Sequence, residues 1–143
     1  MSIVRVWIHA VWGTKNRRSL LTEDVRTKVL RHIRENAKAK EIYVDRLNGY
    51  TDHVHCLFAL NADMSVSKAL QLMKGESAHW ANEEHVTRFR FEWANEYYAV
   101  SVSETGLGRL RAYIDNQEEH HRKKTYAEEV DELMQQHHQT HHS

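Results

Sequence analysis

The stretch IVRVWIHAVW, residues 3–12, constrains the fold of this chain more than any other. Its residues alternate, with Ile3, Arg5, Trp7, His9 and Val11 on one side and Val4, Val6, Ile8, Ala10 and Trp12 on the other. Both sides are largely apolar, and a strand of that kind belongs inside a sheet rather than at its edge. Gly13 and the basic run after it then read as a loop.

The remaining elements follow from spacing. Thr22 is placed to cap a helix with Glu23 and Asp24 in its first turn. Leu21, Val25, Val29, Ile33 and Ala37 recur at helical spacing, so residues 22–40 read as an amphipathic helix. Residues 41–48 and 53–60 read as two strands joined by a short turn at Gly49 to Asp52. Ser65 caps a second helix whose inner stripe is Val66, Leu70, Met73, Ser77 and Trp80. Residues 97–103, YYAVSVS, form a fourth strand, and Thr105 is expected to cap a long third helix reaching about Lys124. Tyr126 to Gln136 reads as a short terminal helix. The order β-α-β-β-α-β plus an extra helix is the ferredoxin-like (RRM-like) α+β arrangement, a four-stranded antiparallel sheet with helices on one face and the other face open for a ligand or nucleic acid.

The bulk numbers narrow the class. A chain of 143 residues, 41% hydrophobic, suits one compact domain. The expected division is a domain over 1–125 and a short helix with a polar His-rich tail over 126–143. Formal net charge is zero, but the charge is sorted. Basic residues crowd the segment Lys15 to Lys40 and the group Arg122, Lys123 and Lys124, while Glu128 to Glu132 is acidic. A neutral total can hide a basic face, although solvated helix faces account for most single lysines. The lone cysteine, Cys56, excludes an intrachain disulfide and a cysteine-based zinc cluster and suits a reducing cytoplasm. No run approaches a membrane span of roughly 18 apolar residues.

Chemistry enters at DHVHCL. His53 and His55 stand one residue apart on a strand, so both imidazoles point to one face while Val54 and Cys56 point to the other. Neutral imidazole is a common ligand for divalent transition metals, and two on one face can share an ion if a third ligand comes from elsewhere. In the third helix Leu107, Leu110, Ile114 and His121 make the inner stripe, and Tyr113 and Gln117, four apart, lie together at its edge. A hydroxyl and an amide oxygen could therefore be presented jointly to the histidines; the bland reading is a core-edge tyrosine beside a solvated glutamine. Asp52 could orient an imidazole or merely cap its turn.

The residues DHVHCLF, then SVSKALQLMKGESA, then YYAVSVSETGLGRLRAYIDNQEEHH, resemble in order and spacing the single-tyrosine HUH transposases of small bacterial insertion sequences, a family related to the REP-associated tyrosine transposases. The likeness covers nearly the whole chain, with Thr51 where the family often has proline. It implies that His53 and His55 hold a divalent metal, magnesium or manganese, with Gln117 as third ligand. It further implies that Tyr113 is the nucleophile, forming a covalent 5′-phosphotyrosine as single-stranded DNA is cut and rejoined. Implied partners are single-stranded ends with small hairpins and a second copy of the chain, whose site the tyrosine helix can complete, in a bacterial or archaeal cytoplasm. Expected DNA contacts are Lys15, Arg17, Arg18 and Lys74, the last beside Gly75. Trp7, Trp12, Trp80 and Trp93 could stack bases, but each has a core reading first.

Three rivals stand beside this one. They are an inactive or domesticated single-strand-binding module of the same fold, a phosphoesterase with paired His-x-Thr motifs using His85-Val86-Thr87, and a structural dimer with incidental histidines.

Overall fold

The computed structural model describes residues 3–121 and 124–142, with side chains through Gln136. The alternating run forms β1, Trp7–Gly13, and lies inside the sheet. It is antiparallel to β3, His53–Ala59, on one side and to β4, Tyr98–Val102, on the other. β2, Tyr43–Gly49, pairs antiparallel with the far side of β3, giving the order β2-β3-β1-β4. With α1, Glu23–Ala39, between β1 and β2 and α2, Val66–Glu83, between β3 and β4, this is the ferredoxin-like α+β arrangement. β1 starts at Trp7 rather than Ile3 because Trp7 already pairs with Ala59 and Val102, the last residues of its neighbours. Beyond that point Ile3, Val4 and Val6 are exposed.

The main core lies between the sheet and α1 with α2. Ile8, Ala10 and Trp12 of β1 meet Val54, Cys56 and Phe58 of β3, with Val29, Ile33 and Ala37 of α1 and Ala69, Leu70 and Met73 of α2 above them. Trp12 and Trp93 take their core reading. Trp80 is partly buried and stacks on His32 with ring centroids 4.1 Å apart. Ser65 caps α2 by accepting from the Lys68 N–H at 3.1 Å, and Thr22 stands at the α1 cap position without a side-chain bond.

Two expectations are corrected here. Thr105 does not cap the third helix; it falls in the 3-10 turn Glu104–Gly106, and Gly106 takes the cap position. The third helix does not run unbroken to Lys124. It divides into α3, Leu107–Asp115, and α4, Gln117–His120, at Asn116, whose φ of −103° and ψ of 26° leave the helical range. The Asn48 side-chain amide donates to the carbonyl of Ile114 at 2.9 Å and to that of Asp115 at 3.4 Å, taking acceptors a continuing helix would use. Asp115 and Asn116 are residues that favour helix ends over helix interiors. β2 grips α3 a second time at its irregularity between Val44 and Arg46, where Arg111 donates to both carboxylate oxygens of Asp45 at 2.8 and 2.9 Å.

The second sheet face is also not open. α3 and α4 cover it together with α5, which runs Tyr126–His142, beyond the short helix read from sequence. Leu57, Leu107 and Ile114 form a small apolar cluster there, with Trp7, Val102, Leu110 and Tyr113 packed against it. Arg122 and Lys123 of the second basic group, and the side chains of the histidine-rich end, lie outside the described residues. Among the described residues no helix is long and apolar enough to cross a membrane.

Candidate functional site

His53 and His55 face α3–α5, away from the main core, as the strand alternation requires. Both are fully buried. Each has its Nδ1 engaged outward. His53 Nδ1 lies 2.9 Å from Asp52 Oδ1, and His55 Nδ1 lies 2.9 Å from His9 Nε2 on β1. A third imidazole joins from the C-terminal side of the kink: His121 Nδ1 lies 2.7 Å from the Lys124 carbonyl, and its ring stacks on Tyr50. An acceptor at Nδ1 keeps the proton there and frees the Nε2 lone pair, the outer-partner arrangement typical of metal-binding histidines.

The three Nε2 atoms converge on one carboxylate. Glu129 of α5, almost fully buried, brings Oε1 to 3.1 Å from His53 Nε2 and 2.6 Å from His55 Nε2, and Oε2 to 3.1 Å from His121 Nε2. His120 Nε2 lies 2.9 Å from the same Oε2. Lone pairs facing a carboxylate repel unless protons or a cation stand between them, so this centre demands positive charge. The ionisation pattern is mixed. Burial pushes Glu129 up, but its close contacts with His121, His53 and His55 outweigh it and hold the carboxyl well below its ordinary range. Burial pulls His53 down, yet Asp52 and Glu129 together raise it, whereas burial dominates at His55 and lowers it to about 4. His9, buried behind His55, is lowered to about 3.

Tyr113 and Gln117 meet at this centre, as their spacing predicts. The Tyr113 hydroxyl donates to Glu129 Oε2 and lies 3.3 Å from His120 Nε2, and its ring centroid is 5.5 Å from that of His55. Burial, then the Glu129 carboxylate, push the phenol well above its ordinary range. The Gln117 amide nitrogen lies 3.4 Å from Glu129 Oε2, and its buried Oε1 has no hydrogen-bond partner among the described residues. Three convergent imidazoles and a carboxylate suit a divalent cation, and Gln117, whose amide oxygen is orphaned, stands at the same centre. The ligand atoms of His53, His55, His121 and Glu129 all lie within 4.8 Å of one another. A cavity of about 440 Å³ between α3 and α5 opens onto Tyr113, His120 and Glu129, with Arg109 and Glu132 also lining it.

Tyr126 closes the far side. Its ring stacks on His53 with centroids 4.4 Å apart and planes 11° apart. That approach requires Gly13, because a Cβ there would sit 2.7 Å from the Tyr126 ring. The side chains read as DNA contacts lie outside the histidine centre, Arg17 reaching it through the Tyr126 ring. Lys15 pairs with Glu92 at 3.0 Å, and Lys74 is half-buried, donating to the carbonyls of Ala94 and Asn95 at 2.8 and 3.2 Å. The Arg17 guanidinium lies 6.0 Å from the Tyr126 ring, and that of Arg18 lies 5.2 Å from the Phe89 ring. His85 lines a groove with α2 residues and does not join His53, which removes the paired His-x-Thr arrangement.

Sequence reasoning missed His9, Glu129 and the site role of His121. His9 carried a signal, being a polar residue in the middle of a two-sided apolar strand. Tyr126, Glu129 and Leu133 also recur at helical spacing inside what reads as an acidic surface.

The sequence profile described as IS200-like transposase matches residues 2–117, a span that includes His53, His55, Tyr113 and Gln117 and stops short of Glu129. No curated protein matches the chain. A crystal structure of a candidate transposase from Deinococcus radiodurans R1 is similar at a TM-score of 0.65 and 23% identity, covering 81% of this chain and 93% of that one. A REP-associated tyrosine transposase bound to a REP hairpin is similar at a TM-score of 0.57 and 18% identity, covering 82% of this chain and 67% of that one. At those identities the structural likeness is one of fold. The profile, spanning most of the sequence, carries the assignment: the chain belongs to the IS200-like transposase family.

Proposed function

We propose that this transposase cuts and rejoins single-stranded DNA at insertion-sequence ends through Tyr113, with magnesium or manganese held by His53, His55 and Gln117. The observation that carries the reading is the Tyr113 hydroxyl sharing one buried carboxylate with three histidine Nε2 atoms. His121 and Glu129 are in reach of the same cation. The divalent ion, when bound, supplies positive charge against the charge developing on the scissile phosphate.

The chain's own residues perform the rest. Asp52 and His9 fix the orientation of the paired imidazoles. The Tyr113 oxygen gives up its proton and attacks phosphorus, the bond from phosphorus to the 3′ oxygen breaks, and the released 3′ oxygen takes up one proton, so none is gained overall as the 5′ end stays on the tyrosine. The phosphodiester character is retained, so a different 3′-hydroxyl can reverse the step and join new ends. Burial and the Glu129 carboxylate push the phenol up, and positive charge at the histidines would counter that carboxylate. The cavity between α3 and α5 is the route by which a phosphate reaches the hydroxyl, with Arg109 in its lining. A DNA hairpin is the ligand of one similar structure, which supports hairpin-bearing ends as substrate here. A homodimer remains part of the proposal, although Tyr113 meets the histidines of its own chain.

Glu129 standing among the three imidazoles favours one alternative, a DNA-binding protein of this fold that does not cleave. One experiment separates them. The chain is incubated with labelled single-stranded oligonucleotides carrying hairpins, with manganese or magnesium, and the products are run on a denaturing gel. A metal-dependent protein–DNA adduct that vanishes in Tyr113→Phe is expected. An undiminished adduct in that variant would displace Tyr113 as nucleophile, and binding without any adduct would establish the non-cleaving alternative.

A further inference from the structure

Phe89 is 58% exposed, although Phe91, two residues on, is fully buried and packs edge-on against Trp93. The contrast does not come from a loose loop. Phe91 is bonded through both its N–H and its carbonyl to the Asn82 side chain, at 2.7 and 2.9 Å, and the Thr87 hydroxyl donates to the Phe89 carbonyl at 2.6 Å. Ordered backbone on both sides holds an aromatic ring out toward solvent.

The ring is flanked by cations. Arg18 and Arg88 place their guanidinium carbons 5.2 and 5.8 Å from its centroid. Neighbouring Arg17 lies over Tyr126, and Tyr126 lies on His53. Arg17 thus extends the His53–Tyr126 stack, and its sequence neighbour Arg18 joins Arg88 on Phe89. Among the described residues these three arginines make no ion pair, whereas nearby Lys15 and Arg90 are both neutralised by Glu92. A fixed exposed ring beside unneutralised guanidiniums is what a single nucleic-acid strand requires, bases on the aromatic face and phosphates on the cations.

We propose that Arg17, Arg18, Arg88 and Phe89 form a track that seats the single strand on the Tyr126 side of the histidine centre, with one base stacked on Phe89. The inference rests on the single-strand reading above and names the surface that reading lacks. Recognition of this kind is indifferent to sequence, because every base offers a π face.

The test uses the full chain carrying Tyr113→Phe, so that no covalent product forms, and a labelled oligothymidylate without a hairpin, followed by fluorescence anisotropy across a salt series. Phe89→Ala should weaken binding roughly 5- to 100-fold, the loss of one stacked base, with an unchanged salt slope. Phe89→Trp should restore it. Arg18→Ala combined with Arg88→Ala should flatten the salt slope by about 0.7 per contact removed. An unaltered thermal melt for Phe89→Ala confirms that the exposed ring is not a folding element. Phe89→Ala binding as tightly as its parent, or weakening blunt duplex equally, would overturn the track. If that happens while the Tyr113 chain still forms its metal-dependent adduct, only the track falls. If the parent binds no oligonucleotide and no adduct forms, the single-strand reading falls with it.

Discussion

β3 carries two chemistries back to back. Val54, Cys56 and Phe58 enter the apolar layer under α1 and α2, while His53, His55 and Leu57 face α3–α5. β1 repeats the division with Ile8, Ala10 and Trp12 against Trp7 and His9. All six consecutive β3 residues are buried, so exposure does not distinguish the faces. What differs is what fills the space. One face is close-packed hydrocarbon whose stability comes from burial. The other holds buried polar groups, the histidines and Glu129 tolerable because they partner one another, with the Gln117 Oε1 left unpartnered among the described residues. The apolar face is the rigid base that allows the polar face to hold nitrogen lone pairs in register.

The largest effect should follow from breaking the apolar side. Phe58→Ala removes a fully buried ring and should cost about 3–5 kcal/mol in urea unfolding, the usual cost of an aromatic-to-alanine cavity. A loss below about 1 kcal/mol would mean that this face is not the principal core.

The polar side should answer to cations instead. Manganese at about 100 times its dissociation constant should stabilise the native chain by roughly 2.7 kcal/mol, and chelation should remove the gain. His55→Ala should abolish that increment, while Phe58→Ala should lower the baseline and keep it. Calorimetric melts with manganese and with chelator read both, and an increment surviving in His55→Ala would place the cation elsewhere.

These two faces also explain what was legible in the sequence. Alternation within residues 3–12 and 53–60 is local, so the interior strand, the shared face of His53 and His55, and the element order could all be read directly. Tyr113 and Gln117 are four residues apart, so their meeting is equally local even though the helix breaks between them at Asn116. The helix break at Asn116 was hidden because its cause is Asn48, on a strand far away in sequence. Glu129 was hidden more deeply: it contacts histidines more than 70 residues distant, and its neighbours Glu128, Asp131 and Glu132 make it look like one of several surface acids. Covering of the second sheet face depended on that same helix, whose docking no periodicity within the first 125 residues encodes.

The seam between the faces offers a finer test. Gly13 ends β1 where Tyr126 crosses to reach His53, and its missing Cβ is the space that ring occupies. Gly13→Ala should cost about 1–3 kcal/mol as overpacking, read by denaturation. Tyr126→Ala should relieve most of that penalty in the double variant, since it removes the atoms in conflict. Equal penalties in both backgrounds would assign the cost to the nearby Asp52 carbonyl instead.

Smaller again is the tie from β2 to the tyrosine helix. Asn48→Ala removes a bond to the Ile114 carbonyl and should cost about 1 kcal/mol. Arg111 still holds α3 to Asp45, so the helix should stay docked. A loss above about 3 kcal/mol would mean that Asn48 anchors the whole second layer rather than the break alone.

The comparison is sharpest between neighbours 55 and 56. His55 faces a centre reached from the α3–α5 cavity, while Cys56 faces hydrocarbon, and burial pushes its thiol up to about 12. At pH 8 the folded chain should therefore hold almost no thiolate there and should leave a chromogenic disulfide reagent unreacted. In denaturant the thiol returns to its ordinary range and the same reagent should titrate one thiol per chain. Because thiolate forms only when the apolar face opens, the reaction rate in the native chain reports that opening alone, and added manganese should slow it only as far as cation binding on the opposite face stabilises the whole fold. Rapid labelling of the native chain would show that the two faces do not open together, and that the apolar base under the histidines is looser than the site it carries.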